Sequence, residues 1–222
     1  MVRQRPTAIY LDGADLKAME RYATDPRIAG VTTNPSLMRK AGITRYREFA
    51  REVLAIFPAK PVSFEILNDD VSMVPEIASW GQNVYVKVPI VNEAGQYHDF
   101  KALGEVKMNI TAIMTRDQVR HAASRVPMKG ILSIFAGRVA DTGQNPYNLV
   151  RHAVKRNHGQ YVLWASPRQV FDYYWADRAG ADIITMTPEL IVKLTALKGK
   201  DLHQHSADTV RQFNEDAKGI EL

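Results

Sequence analysis

Residues 84–89 read Val-Tyr-Val-Lys-Val-Pro, a short run in which three valines alternate with other residues. Valine favours extended backbone, and the side chains of a strand point alternately to its two faces. Val84, Val86 and Val88 therefore share one face of a predicted strand, and Tyr85 and Lys87 share the other. Helical patterns lie on both sides of this run, and alternation of strand with helix is typical of a parallel sheet.

The same pairing of strand with helix recurs along the chain. The predicted strands are Ala8–Asp12, Gly30–Asn34, Pro61–Ile66, Val84–Pro89, Met108–Ile113, Gly130–Phe135, Tyr161–Ala165 and Asp182–Thr187. The predicted helices are Ala14–Thr24, Pro35–Ile56, Asp70–Ser79, Asp99–Val106, Arg116–Arg125, Pro146–Asn157, Pro167–Ala179 and Pro188–Leu197. Eight such units predict an α/β fold, a single (β/α)₈ TIM barrel over residues 1–222 with an extra carboxy-terminal helix at 206–218. An open doubly wound sheet is the alternative, but no strand precedes a glycine-rich dinucleotide fingerprint.

Composition narrows the classes of function. Hydrophobic residues make up 45% of the chain and charged residues 24%, which is typical of folded globular proteins. The absence of cysteine excludes a thiolate nucleophile and Cys-based metal sites. The net charge of +5 is spread along the chain, so we expect a small anionic substrate and neither nucleic acid nor membrane as a partner. No apolar run approaches the length of a membrane span, and we expect a cytoplasmic protein.

The position of Lys87 is the first indication of chemistry. If the valine face of its strand meets the helices, Lys87 points into the barrel near the carboxyl end of the strand, where TIM-barrel enzymes place catalytic groups. A buried ammonium must be paired or lose its proton. A neutral amine forms Schiff bases with carbonyl substrates, whereas a paired lysine can be purely structural. This residue alone leaves both interpretations open.

Other predicted strands place polar residues on the inward face by the same alternation. Each of them alone is consistent with a hydrogen-bonded core residue. Around an inward lysine they predict an active site, because Schiff-base chemistry and cleavage of a carbon–carbon bond each move a proton. The inward polar residues are Asp12, Glu65, Lys87, Asn109, Thr111 and Ser133.

Motifs along nearly the whole chain resemble one known family. They are Leu11-Asp-Gly-Ala-Asp15, Gly30-Val-Thr-Thr-Asn-Pro-Ser-Leu37, Val62-Ser-Phe-Glu65, Val86-Lys-Val-Pro89, Asn109-Ile-Thr111, Phe135-Ala-Gly-Arg138 and Ala179-Gly-Ala-Asp182. In this order they resemble the small transaldolases and the related fructose-6-phosphate aldolases. The resemblance implies a class I aldolase barrel that needs no metal and no organic cofactor.

The resemblance also implies roles for individual residues. Lys87 would form the Schiff base with a ketose, and Asp12 would transfer the proton at the bond being cleaved. Glu65 and Thr111 would hold the water used in imine chemistry. Gly13 stands where the family usually has Thr, and we expect this to affect only packing near Asp12. The implied substrate-binding residues are Thr33, Asn34, Asn109, Ser133, Phe135, Arg138, Ser166 and Arg168.

Three matching positions separate transaldolases, which pass a dihydroxyacetone unit to an aldehyde, from aldolases, which release it. The resemblance places Glu65, Ser133 and Phe135 where aldolases carry Gln, Ala and Tyr. A Tyr hydroxyl can hold a water that hydrolyses the imine, and Phe cannot. We therefore expect transfer. An aldolase that releases dihydroxyacetone, or a barrel that binds sugar phosphates without turnover, is the alternative.

The seventh predicted strand departs from the family pattern. An ungapped alignment places Leu163 and Ala165 where the family has the Ser and the Arg or Lys that bind the substrate's phosphate, while Arg138 is retained. An alignment with a deletion offers Ser166 instead, with Arg168 nearby. We expect a donor whose far end carries either a phosphate or a sulfonate, as in fructose 6-phosphate or 6-deoxy-6-sulfofructose.

The resemblance implies a homo-oligomer built from rings. The stretch Ser206–Lys218 would then lie over a neighbouring subunit. His203 and His205 precede this stretch, and we expect them in a solvated turn rather than in a metal site.

Overall fold

The computed structural model describes residues 6–221 and contains a closed barrel of eight parallel strands in chain order. The strands are β1 Ala8–Asp12, β2 Ile28–Thr32, β3 Val62–Glu65, β4 Val84–Pro89, β5 Met108–Ile113, β6 Ile131–Ile134, β7 Tyr161–Trp164 and β8 Ile183–Met186. The predicted TIM barrel is confirmed. Among these described residues, no helix is both long and apolar enough to cross a membrane.

Helices follow the strands around the barrel. They are α1 Leu16–Tyr22, α2 Pro35–Lys40, α3 Tyr46–Ile56, α4 Val74–Ser79, α5 Arg116–Ala123, α6 Ala136–Asp141, α7 Tyr147–Arg156, α8 Phe171–Ala179, α9 Pro188–Leu197 and α10 Leu202–Asp216. A short 3₁₀ turn, Val71–Met73, precedes α4. The predicted extra carboxy-terminal helix is α10.

Two predicted helices are wrong, and both errors involve glycine. The stretch Pro35–Ile56 forms two helices, because the chain turns at Gly42, whose φ of +72° lies in the left-handed region. The stretch Asp99–Val106 forms turns instead of a helix, with Gly104 at a φ of +79°. The β4–β5 link also contains an antiparallel bridge between Val91 and Tyr97.

The expected turn at His203 and His205 is also wrong. Both histidines lie on α10, which begins at Leu202. The side chain of Asp201 caps this helix by accepting a hydrogen bond of 2.8 Å from the backbone N–H of Gln204. The cap satisfies an N–H that the first turn leaves free, so the helix starts earlier than its apolar pattern predicts.

The register of the barrel decides which inward side chains become neighbours. Lys87 on β4 pairs with Glu65 on β3 and with Asn109 on β5. Tyr10 on β1 fills the barrel interior opposite Gly30 on β2. A Cβ added at Gly30 would lie 2.5 Å from the Tyr10 ring. Tyr10 belongs to a buried apolar cluster that fills the barrel interior below the polar residues at its carboxyl end. We call this cluster the apolar plug; its residues are Tyr10, Ile131, Leu163, Ala165 and Ile183.

Candidate active site

A cavity of about 470 Å³ opens at the carboxyl ends of the strands. Ten of the twelve predicted site residues line it, and Thr33 and Asn109 lie behind its wall. The ten are Asp12, Asn34, Glu65, Lys87, Thr111, Ser133, Phe135, Arg138, Ser166 and Arg168.

Lys87 is the buried cation of this cavity, with 5% of its surface exposed. Its Nζ lies 2.9 Å from Glu65 Oε2 and donates a hydrogen bond of 2.8 Å to the Thr33 carbonyl. Glu65 is held in turn, because the Tyr46 hydroxyl donates to its backbone carbonyl at 2.8 Å. The amine is therefore paired at rest, and Glu65 is within reach of the proton that the amine must lose before it can attack a carbonyl.

Asp12 is the second carboxylate beside Lys87. Its withdrawal from water raises the pKa of its carboxyl, and the nearby Glu65 charge adds to this shift. The Lys87 ammonium and a hydrogen bond of 2.7 Å from the Thr32 hydroxyl oppose the shift. A carboxyl with a raised pKa is suited to take up and return a proton during one reaction cycle.

Two threonines support Asp12 from the strands on either side of β1. Thr32 lies on β2 and Thr185 on β8, and their hydroxyls are hydrogen-bonded to each other. A hydroxyl has one proton, and Thr32 donates it to Asp12. Thr185 must therefore donate to Thr32, which makes a chain from Thr185 through Thr32 to the carboxylate.

We expect Thr185→Val to lower kcat by about 3- to 10-fold, because the hydroxyl that orients Thr32 is lost. Thr32→Val should move the acid limb of the pH–rate profile upward, since loss of its hydrogen bond raises the pKa of Asp12 further. The double variant should be no worse than Thr32→Val alone, and Thr185→Ser should restore activity. Additive losses in this cycle would show that Thr185 acts independently of Thr32.

A buried amide connects the floor of the cavity to the barrel interior. Asn109 Nδ2 donates to Ser63 Oγ at 3.0 Å, and Ser133 Oγ donates to Asn109 Oδ1 at 2.6 Å. Ser133 lines the cavity and still has acceptor capacity on its hydroxyl. Thr111 lines the same wall, and its buried hydroxyl has no hydrogen-bond partner among the described residues. These two hydroxyls are the groups through which this side can hold water or substrate hydroxyls.

The side chain of Asn34 both caps a helix and lines the cavity. It caps α2, where its Oδ1 accepts a hydrogen bond of 3.0 Å from the Leu37 N–H. Its side-chain N–H₂ group stays available as a donor on the cavity side.

The far end of the cavity contains two arginines in different states. Arg168 is bound by Asp141 through two hydrogen bonds, one of them from Nε at 3.2 Å. Arg138 has no ion pair with any residue in the described part of the chain and is exposed at the cavity. Leu163 and Ala165 also line the cavity, but their side chains are apolar and have no donor or charge with which to bind an anion. The charge of Arg138 also helps to lower the pKa of Asp141, after the larger effect of Arg168. Within residues 6–221, Arg138 is therefore the cation at this end that no ion pair occupies.

Ser166 is positioned by a close backbone approach. Its φ is +60°, and a Cβ added at Gly137 would lie 1.6 Å from its carbonyl oxygen. Glycine at 137 therefore lets α6 approach the β7–α8 loop, which brings Ser166 to the same end of the cavity as Arg138.

Three threonines of the cavity wall were not predicted from the sequence: Thr32, Thr185 and Thr187. The signal was present for two of them. Thr32 alternates with Gly30, which faces Tyr10 inside the barrel, and Thr185 alternates with the inward Ile183. The alternation used for the other strands identifies both residues when it is applied to β2 and β8.

The chain matches the family model described as Transaldolase/Fructose-6-phosphate aldolase over residues 9–222. The chain belongs to this family. It is similar to a probable transaldolase of Roseiflexus castenholzii, with 35% identity over 80% of this chain and 84% of the relative. It is also similar to a probable transaldolase of Dehalococcoides mccartyi, with 28% identity over 84% of this chain and 89% of the relative. The family and these relatives show an enzyme of transaldolase or aldolase type.

Solved structures show the fold alone. The tryptophan synthase A-subunit of Pyrococcus furiosus has a TM-score of 0.61 at 14% identity and matches 90% of this chain and 93% of its own. Orotidine 5'-monophosphate decarboxylase from Metallosphaera sedula has a TM-score of 0.59, also at 14% identity, and matches 86% of this chain and 96% of its own. At such identities, similarity to these structures shows a shared barrel and says nothing about the reaction of this chain.

Proposed function

We propose that the protein is a Schiff-base transaldolase that transfers a dihydroxyacetone unit from an anionic ketose to an aldehyde. The observation that carries this proposal is the placement of Lys87 in one cavity with Glu65 at 2.9 Å and with Asp12, whose carboxyl pKa is raised. The reaction needs an amine nucleophile, a group that accepts the proton of this amine, and a second carboxyl that accepts the proton of the sugar hydroxyl.

The steps follow from these positions. Glu65 takes a proton from Lys87, and the amine attacks the ketone carbon. Glu65 then returns the proton to the hydroxyl of the carbinolamine, which leaves as water, and the protonated imine forms. Asp12 then takes the proton of the hydroxyl on C4, the bond between C3 and C4 breaks, and its electrons form the enamine while an aldehyde leaves. The enamine attacks the acceptor aldehyde, Asp12 returns the proton to the new hydroxyl, and water releases the product from Lys87.

Transfer rather than release is supported by Phe135. This side chain lines the cavity and offers no hydroxyl to hold a water beside the imine. We expect the wild type to consume a ketose donor more than about tenfold faster with an acceptor aldehyde than without one, a difference of about 1.4 kcal/mol. Phe135→Tyr should raise the rate without acceptor. Equal rates of transfer and release in the wild type would identify an aldolase instead.

The donor is an anionic ketose whose terminal phosphate or sulfonate lies against Arg138 and Ser166. A phosphate carries nearly two charges and a sulfonate one, and Arg168 is already neutralised by Asp141. One free guanidinium suits a singly charged group, so we expect kcat/KM for 6-deoxy-6-sulfofructose to equal or exceed that for fructose 6-phosphate. A preference of more than about tenfold for the phosphate would contradict this expectation. Arg138→Ala should raise KM for both donors.

A homo-oligomer is part of this proposal. Helix α10 has no buried residue, although Val210 and Phe213 lie three positions apart on one of its faces and are exposed by 52% and 64%. An exposed apolar helix face of this kind fits a contact between subunits, with a second copy of the chain as the partner. The mass of the protein in solution, measured by light scattering, tests this part.

A further inference from the structure

A second cavity of about 280 Å³ adjoins the catalytic one. It lies between the β1–α1 turn, α2 and the start of α9, and we call it the Gly13 pocket, after Gly13 in its wall beside Lys40 and Glu189. Asp12, Leu37 and Thr187 line both cavities. A group bound in the Gly13 pocket therefore lies beside Asp12, to which the proposed function assigns the proton transfer.

Neither the backbone nor the packing requires glycine at position 13. Its φ is outside the left-handed region, and an added Cβ would meet no atom within 4 Å other than those of the adjacent residues in the chain. Where alanine fits equally well, glycine destabilises a fold, because it leaves the unfolded chain more freedom. What glycine contributes here is open space in the wall of a pocket that Asp12 also lines.

The walls of the Gly13 pocket favour an uncharged, hydroxylated group. Leu11, Ala18 and Met19 supply apolar surface for carbon atoms. The lining contains two cations and three carboxyl groups, with Lys40 and Glu189 opposing each other at the rim, so the pocket offers no net attraction to an anion. These charged residues are Arg21, Lys40, Asp12, Asp15 and Glu189. Both rim groups can form hydrogen bonds with hydroxyls.

We propose that the Gly13 pocket is a second subsite, which takes the uncharged hydroxylated chain of an acceptor aldehyde such as an aldose without a terminal phosphate. The proposal rests on the transaldolase function proposed above. An anionic acceptor lies toward Arg138, and an uncharged one enters the Gly13 pocket. In both orientations the carbonyl oxygen meets Asp12.

A competition experiment tests this subsite. Erythrose and erythrose 4-phosphate compete as acceptors in one reaction with a common donor, so the ratio of the two products is independent of donor binding. Gly13→Thr should lower the ratio of uncharged to phosphorylated product at least tenfold, and Gly13→Ala should lower it less. Arg138→Ala should raise the same ratio. The rate with glycolaldehyde, whose chain is too short to fill the pocket, should fall less than the rate with erythrose in the Gly13 variants.

Ala41→Val is a second, independent test of the pocket, because Ala41 lines the Gly13 pocket and not the catalytic cavity. It should shift the product ratio in the same direction as Gly13→Thr. An unchanged ratio in Gly13→Thr and Ala41→Val, or equal losses with all acceptors including glycolaldehyde, would overturn the subsite. If borohydride with a ketose fails to label Lys87 in the wild type, the proposed function itself fails. Labelling with an unchanged ratio overturns only the subsite.

Discussion

Lys87→Arg should fold like the wild type and lose the proposed transfer activity by roughly 10⁴-fold or more, because the nucleophile is gone. A guanidinium keeps its proton at any working pH, so it cannot attack a carbonyl, yet it can still pair with Glu65. Borohydride reduction in the presence of a ketose should add the dihydroxyacetone unit to the peptide that contains Lys87. The arginine variant should take up no label.

The same variant separates the two interpretations of a buried lysine. If Lys87 were only the partner of Glu65, an arginine that keeps the charge would leave turnover intact. Lys87→Met serves as a second variant, because it removes the charge as well and exposes the cost of leaving Glu65 unpaired. Labelling of a different lysine, or activity in Lys87→Arg, would refute the Schiff-base assignment.

Asp12→Asn should lower kcat by about 10² or more, since the amide cannot take the proton from the donor hydroxyl. It keeps an oxygen that can accept the hydrogen bond from Thr32, so the local geometry has a replacement partner. Because the pKa of Asp12 is raised above its ordinary value of 3.8, the acid limb of the wild-type pH–rate profile should lie above that value. The asparagine variant should lack this limb.

The raised pKa also predicts the sign of a stability change. A carboxyl whose pKa is higher in the folded protein contributes stability below its unfolded pKa and loses it as the pH rises through the folded pKa. Asp12→Asn removes this loss, so its Tm at neutral pH should equal or exceed that of the wild type. The two Tm curves should converge near pH 3.8 and below. A variant of Asp12 that is both inactive and much less stable at neutral pH would indicate a structural carboxylate.

Lys87, Glu65 and Asp12 could be predicted from the sequence because side-chain alternation is a local property of a strand. The bounds of β1, β4 and β5 agree with their predictions for the same reason. The helix predicted over 99–106 failed because a short amphipathic pattern does not outweigh glycine in a left-handed turn. Helix α6, which follows β6 directly, was not predicted, because a six-residue segment carries too little periodicity to be recognised.

Local patterns of the sequence were enough to predict the barrel, the inward lysine and the polar residues around it, since each depends on residues a few positions apart. The pairing of these residues follows from the closed fold. Closure of the barrel brings β8 next to β1, which places Thr185 behind Thr32 and Asp12. The ion pair between Arg168 and Asp141 and the open space at Gly13 likewise depend on loops that meet across the carboxyl end of the barrel. Contacts between residues far apart in the chain follow from the closed fold, and no local pattern encodes them.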